Sequence, residues 1–225
     1  MTFIIDGFRD YRSQSARFTT LDPVRDGNNW FSYVNNDPVN YVDLWGLSAS
    51  DNNRKNVENL IEAQKIAREL NIYKMGGGGL YLESTGKSWH TFCNLGTFDV
   101  ARATGFNTDA LYNDRVNTDA NMATANLLAA AKEGKVIKID SEQAYTLASQ
   151  GYTVIAAWED TGEPRGHIAT VSPGAGTGSN PSISNIGSDN QIKSASLVIP
   201  GKLPTYFYDP RQDFNKYDPS GIGKK

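Results

Sequence analysis

The chain is short of the residues that most often carry metal and redox chemistry. Its 225 residues hold one cysteine, Cys93, and two histidines, His90 and His167. A single cysteine excludes an internal disulfide framework, so the sequence reports no redox compartment. No HExxH, HxxEH or paired CxxC spacing occurs. A zinc site would therefore have to be built largely from carboxylates, and a histidine-metal nuclease would need more histidines; no metal and no cofactor is expected. Long apolar runs are lacking as well, none approaching the ~20 residues of a membrane-spanning helix. The net charge is −3 with no long basic stripe, which speaks against a nucleic-acid footprint. The N-terminus, MTFIIDGFRDYRSQSARF, has acids and arginines where a signal peptide would carry its apolar core.

What is present divides into two textures. A hydrophobic content of 39% is enough for a packed core, and 21 glycines among many Asn and Asp residues call for a turn-rich fold. Residues 1–47 set aromatics between Asp-Pro, Asp-Gly and Asn-Asp-Pro turn signals, in a stretch too short to bury those aromatics by itself. The pieces RDYRSQSARFTTLDP, NWFSYVNNDPVNYVD and DLWGL within residues 7–47 resemble the end of an Rhs/YD-repeat core, the region that closes the β-shell of polymorphic toxins. That resemblance implies a junction at which a variable C-terminal toxin begins and at which aspartyl self-cleavage occurs. Asp43, Gly46 and Leu47 match the junction element, and Leu44 stands where proline is usual. Two domains are expected: 1–47, the end of an Rhs core, and 48–225, a C-terminal effector.

Beyond Leu47, Val57, Leu60, Ile61, Ile66 and Leu70 have helical spacing, with Ser50 or Asp51 as the cap. KMGGGGLYLESTGKSW is a loop; it lacks the GxxxxGK[ST] spacing of a phosphate loop. A helix is expected to run from Cys93 to Gly105. An Ala- and Leu-rich one follows over 119–133, with Thr118 as its cap and Gly134 as its stop, and another over 140–150, capped by Asp140 with Gln143 three residues on. Strands are expected at KVIKI, YTVIAAW, GHIATVSP, ISNIG, ASLVI and TYFYD, with GAGTGSNPS as a loop. Helices that precede strands indicate an α+β fold with an antiparallel sheet.

The chemistry centres on Cys93 at a helix start and His167 at a strand start, 74 residues later. A thiol is a weak nucleophile until its thiolate is stabilised. A helix N-terminus and an imidazolium both supply that stabilisation, and a third polar group can hold the imidazole in place. Taken alone, a lone cysteine is more often a small buried hydrophobe; the GHIATV strand downstream tips the balance. TFCNLGTFDVARATGF and PRGHIATVSP resemble the Cys and His motifs of NlpC/P60- and CHAP-type, papain-like peptidases and amidases. The resemblance implies Cys93 as nucleophile, His167 as general base and a polar residue on the next strand to orient it, for which Asn185 is the first candidate and Ser182 and Ser184 are rivals. Trp89 and His90 are candidates for the cleft rim or oxyanion support, and Trp158 for groove or core. Asp99 and Asp114 read as a helix-surface charge and a loop charge.

Together the two resemblances imply a secreted or delivered bacterial effector, a cysteine hydrolase that cleaves an amide bond in peptidoglycan stem peptides. A protease, deamidase or acyltransferase acting on a protein target is the alternative within enzymes. A non-enzymatic binding or adhesion tip domain, with Cys93 merely buried, is the alternative outside them. The implied partners are the peptidoglycan or protein substrate, the upstream Rhs shell and a cognate immunity protein.

Overall fold

The computed structural model describes residues 3–6, 9–12, 14–15, 17–20, 31, 51–73, 92–159, 166–187 and 189–224. The expected junction at Asp43, Gly46 and Leu47, and the pair Trp89 and His90, lie outside the described residues. The chain divides into two compact units, Met1–Lys55 and Asn56–Lys225. In the first, β1 (Phe3–Asp6), β2 (Arg9–Arg12) and β3 (Arg17–Phe18) form an antiparallel sheet in that order. Phe18, opposite Tyr11 in register, is buried.

The second unit is α+β. Among the described residues the chain has four α-helices: α1 (Asp51–Glu69), α2 (Cys93–Ala103), α3 (Ala120–Lys132) and α4 (Ser141–Ser149). They accompany a six-stranded antiparallel sheet of β4 (Ile137–Ile139), β5 (Val154–Trp158), β6 (His167–Thr177), β7 (Asn180–Asn185), β8 (Gln191–Ser194) and β9 (Thr205–Tyr208), in the order β4-β9-β5-β6-β7-β8. The central strand β5 is buried at every position, as five consecutive apolar residues predict.

Side chains alternate between the two faces of the sheet. Ile155, Ala157, Ile168 and Phe207 join one core with Leu60, Ala63 and Ala67 of α1, Leu95 and Phe98 of α2, and Ala123 and Leu127 of α3. Gln64 of α1 donates to Thr170 Oγ1 (3.1 Å) and to the Val171 carbonyl (2.9 Å), and accepts from Ser172 Oγ (3.1 Å), so a buried amide locks α1 onto β6.

Local chemistry ends the helices. Asp140 and Gln143 form a capping box at α4. Gly105, at φ +79°, ends α2 in a conformation that disfavours any Cβ. Several expectations need correction. The buried stripe of α1 is Asn56, Leu60, Ala63, Gln64 and Ala67, while Ile61 is 44% exposed. Small alanines let the helix lie close to its neighbours, and Gln64 has partners only on that side. The cap of α3 is Asp119, which accepts from Met122 N at 2.8 Å. Thr118 instead donates its hydroxyl to the Asp114 carbonyl at 2.6 Å.

GAGTGSNPS forms the end of β6 and the start of β7, with a register shift between Val171 and Gly176 that glycines at positive φ accommodate. ASLVI is not a strand. The ladder stops at Ser194, and Asn180 draws Ser196 away by bonding its hydroxyl (2.9 Å) and its N–H (3.2 Å).

Asp99 is fully buried rather than on the helix surface. It accepts from Tyr73 Oη, from Arg115 Nε (3.0 Å) and Nη2, and from Gly223 N (2.9 Å), tying α2 to three distant segments. Removing a buried acceptor with an ionic partner strands its donors. Asp99→Ala is therefore expected to lower unfolding stability by about 3–5 kcal/mol, measured by urea denaturation. A loss under about 1 kcal/mol would contradict this role for the network.

Candidate active site

One end of the sheet gathers the first residue of β6, the last of β7, the start of β8 and the N-terminus of α2. Cys93 is the first residue of α2 and is 6% exposed. Phe92 at the N-cap offers no side-chain acceptor, so the first N–H groups of the helix have no cap. The helix dipole and the N–H groups of this first turn, that of Asn94 among them, favour an anion at Cys93.

Helix α2 reaches this place by two contacts. Thr97, one turn after Cys93 and on the same helix face, donates its hydroxyl to the Ile168 carbonyl at 3.2 Å. Gly96 faces Ile186 just beyond β7, where a Cβ would lie 2.6 Å from the isoleucine Cγ2. Only glycine permits that approach. The pairing of β6 with β7 begins at Thr170. Two residues earlier, the Ile168 carbonyl accepts from Thr97 and the Ile168 N–H favours the Cys93 thiolate, so α2 occupies the place where β7 has left off.

His167 opens β6 opposite Trp158 on β5, and the rings tilt against each other with centroids 5.2 Å apart. Trp158 is buried, so of its two expected settings it takes the core one while supporting the histidine ring. Asn185 closes β7. Its Nδ2 donates to the Asp189 carbonyl at 2.7 Å, which fixes the amide orientation and leaves Oδ1 as the free acceptor. His167 Nε2 and Asn185 Oδ1 are both buried with no well-formed bond of their own. One is a donor and the other an acceptor, and Asn185 favours the charged imidazole. Ser184, on the opposite face, accepts from Arg68 at 2.9 Å, and Ser182 lies opposite Ser194 on that same face. Of the three candidates for orienting His167, Asn185 is the one brought to it.

The electrostatics follow from this packing. Burial pushes the Cys93 thiol up, the largest single influence on it. The charge of His167 and a bond with it, with the N–H groups of Ile168 and Asn94, together outweigh burial and hold the thiol below its ordinary range. For His167, burial pushes down most strongly. The charge of Cys93, the bond with it and the Asn185 amide push up, Lys193 pushes down, and the net effect is upward. Stability from the lowered thiol is lost as pH falls through its folded pKa, and stability from the raised imidazole is lost as pH rises through its own.

The sequence offered no signal for the Ile168 and Asn94 N–H groups, for Asp189, or for Lys193; Thr97, four residues after Cys93, was legible only as a residue on the same helix face. Among the described residues no three His, Cys, Asp or Glu side chains cluster as metal ligands would. No helix among them is long and apolar enough to cross a membrane. A scan against protein-family models finds none that matches the chain, and a search of curated proteins finds no match either.

Because the charge of His167 is the largest of the influences that lower the thiol, His167→Ala is expected to move the Cys93 titration upward. The pH dependence of iodoacetamide alkylation measures this, and an unmoved midpoint would show that the two side chains are not coupled.

Proposed function

We propose that this chain is a cysteine hydrolase of papain-like arrangement that cleaves amide bonds through a thioester intermediate. The observation that carries the reading is a core-buried thiol whose ionised form is nonetheless favoured, with a histidine and an oriented amide beside it. A cysteine serving only as core filling has no need of a base or of aligned N–H donors, and burial alone would make it less acidic.

In the forward half-reaction the Cys93 thiolate attacks the carbonyl carbon and an S–C bond forms. The carbonyl oxygen takes up negative charge near the Cys93 N–H, one of the uncapped donors of α2. The tetrahedral intermediate collapses, the C–N bond breaks, and the leaving amine takes a proton from the His167 imidazolium. Water then attacks the thioester; His167 accepts its proton and the thiolate leaves, releasing a carboxylic acid. Asn185 favours the charged imidazole on which both the thiolate and the leaving group depend.

The resemblance of the Cys and His motifs to NlpC/P60 and CHAP enzymes supports peptidoglycan stem peptides as the substrate. The Rhs-like N-terminal pieces support delivery as an effector, with an immunity protein as partner.

Incubation of the purified chain with isolated peptidoglycan tests the reading, with new amines and muropeptides as the readout. Cys93→Ala and His167→Ala are expected to lose at least about 10³-fold in rate, and Asn185→Ala roughly a hundredfold in kcat with KM little changed. Equal muropeptide profiles for wild type and Cys93→Ala would rule the activity out.

A further inference from the structure

Lys193 has no part in the hydrolytic steps. Val171 lies opposite Ile183, Ile183 opposite Lys193, and Asn185 opposite Gln191. By strand alternation His167, Asn185 and Lys193 therefore belong to one face of the sheet. The Lys193 side chain runs back along that face toward the β7–β8 turn, where Nζ stands 3.8 Å from an Asp189 carboxylate oxygen. The backbone carbonyl of the same Asp189 holds the Asn185 amide at 2.7 Å. The ammonium is thus at the end of the sheet that carries His167, and the charges of Lys193 and His167 repel each other.

As a stabilising device this placement works poorly. The ion pair with Asp189 is long, and the Lys193 and Asp189 side chains are 32% and 47% exposed. An exposed pair of that kind contributes little. Against the His167–Cys93 ion pair the ammonium acts with the wrong sign. A second anion on the open side of Lys193 would reverse that.

We propose that Lys193 is a specificity-determining residue that binds a carboxylate carried by the substrate beside the scissile amide. The inference rests on the reading of Cys93 and His167 as a hydrolytic pair, and it names the substrate class of that site: acidic peptides in preference to neutral ones of the same length. A carboxylate seated between the ammonium and the imidazole screens one from the other. The bound substrate thereby removes a repulsion that the free site carries.

Alkylation tests this on the full chain. Iodoacetate carries a carboxylate and iodoacetamide a neutral amide. With either, the Cys93 sulfur attacks the methylene carbon, an S–C bond forms, and iodide leaves with the C–I electron pair. The ratio of the two rates cancels any change in the thiolate's own nucleophilicity, since both reagents meet the same sulfur. Lys193→Met is expected to lower the iodoacetate-to-iodoacetamide ratio about three- to tenfold, as for one charge–charge interaction across a partly solvated gap. Lys193→Arg, which keeps the charge, retains most of the ratio, and about 1 M NaCl erases most of the difference between wild type and Lys193→Met. A ratio unchanged in Lys193→Met overturns the carboxylate site while the thiolate reading stands. Failure of both reagents to label Cys93 near neutral pH overturns the thiolate reading and the carboxylate site with it.

Discussion

The Ile168 carbonyl is held by the Thr97 hydroxyl of helix α2, and the Ile168 N–H is among the groups that favour the Cys93 thiolate. The rest of the site depends on this grip. It sets the helix N-terminus against the first residue of β6, so the thiol and His167 become neighbours although 74 residues separate them in the chain. It also closes a gap in the sheet, because Ile168 precedes the pairing of β6 with β7 and its carbonyl would otherwise lack this partner. The contact that assembles the site therefore also satisfies backbone hydrogen bonding, and one could not be lost without the other.

Three layers of support surround that contact. Gly96 allows α2 to approach Ile186 closely, Gln64 fastens α1 to the same face of β6 farther along the strand, and Asp99 ties the middle of α2 to Tyr73, Arg115 and Gly223. A group held by packing on several sides keeps its geometry without reorganising when charge develops, which is the condition for electrostatic stabilisation of a thiolate. The cost appears at the thiol itself, where burial opposes ionisation and is overcome only by several donors and a cation acting together. Lys193 sits at the boundary of this arrangement, and its charge works against the imidazolium.

Much of the fold could be read from residue pattern because the deciding forces were local. The capping box of α4, the buried run of β5 and the positive-φ glycines after α2, α3 and α4 follow from propensity and turn chemistry within a few residues. Where distant partners decided, the pattern misled. Ile61 belongs to an apolar stripe by spacing, yet it faces outward because Ala63 and Gln64 meet β6. Asp99 reads as a surface charge on an amphipathic helix, yet Arg115 and Tyr73 draw it inward. ASLVI has the composition of a strand, yet Asn180 takes Ser196 out of the ladder.

The sequence by itself determined which residues could carry the chemistry, since a chain with one cysteine and two histidines allows few combinations, and Cys93 opens a helix while His167 opens a strand. Tertiary structure alone decided that those two side chains meet, that Asn185 rather than Ser182 or Ser184 faces the histidine, and that Lys193 stands nearby. The physical reason is that strand alternation assigns a side chain to one of two faces, but only sheet register and helix docking say which face meets which residue. A thiolate depends on charges and donors gathered in space, and neither has a period that a linear sequence displays.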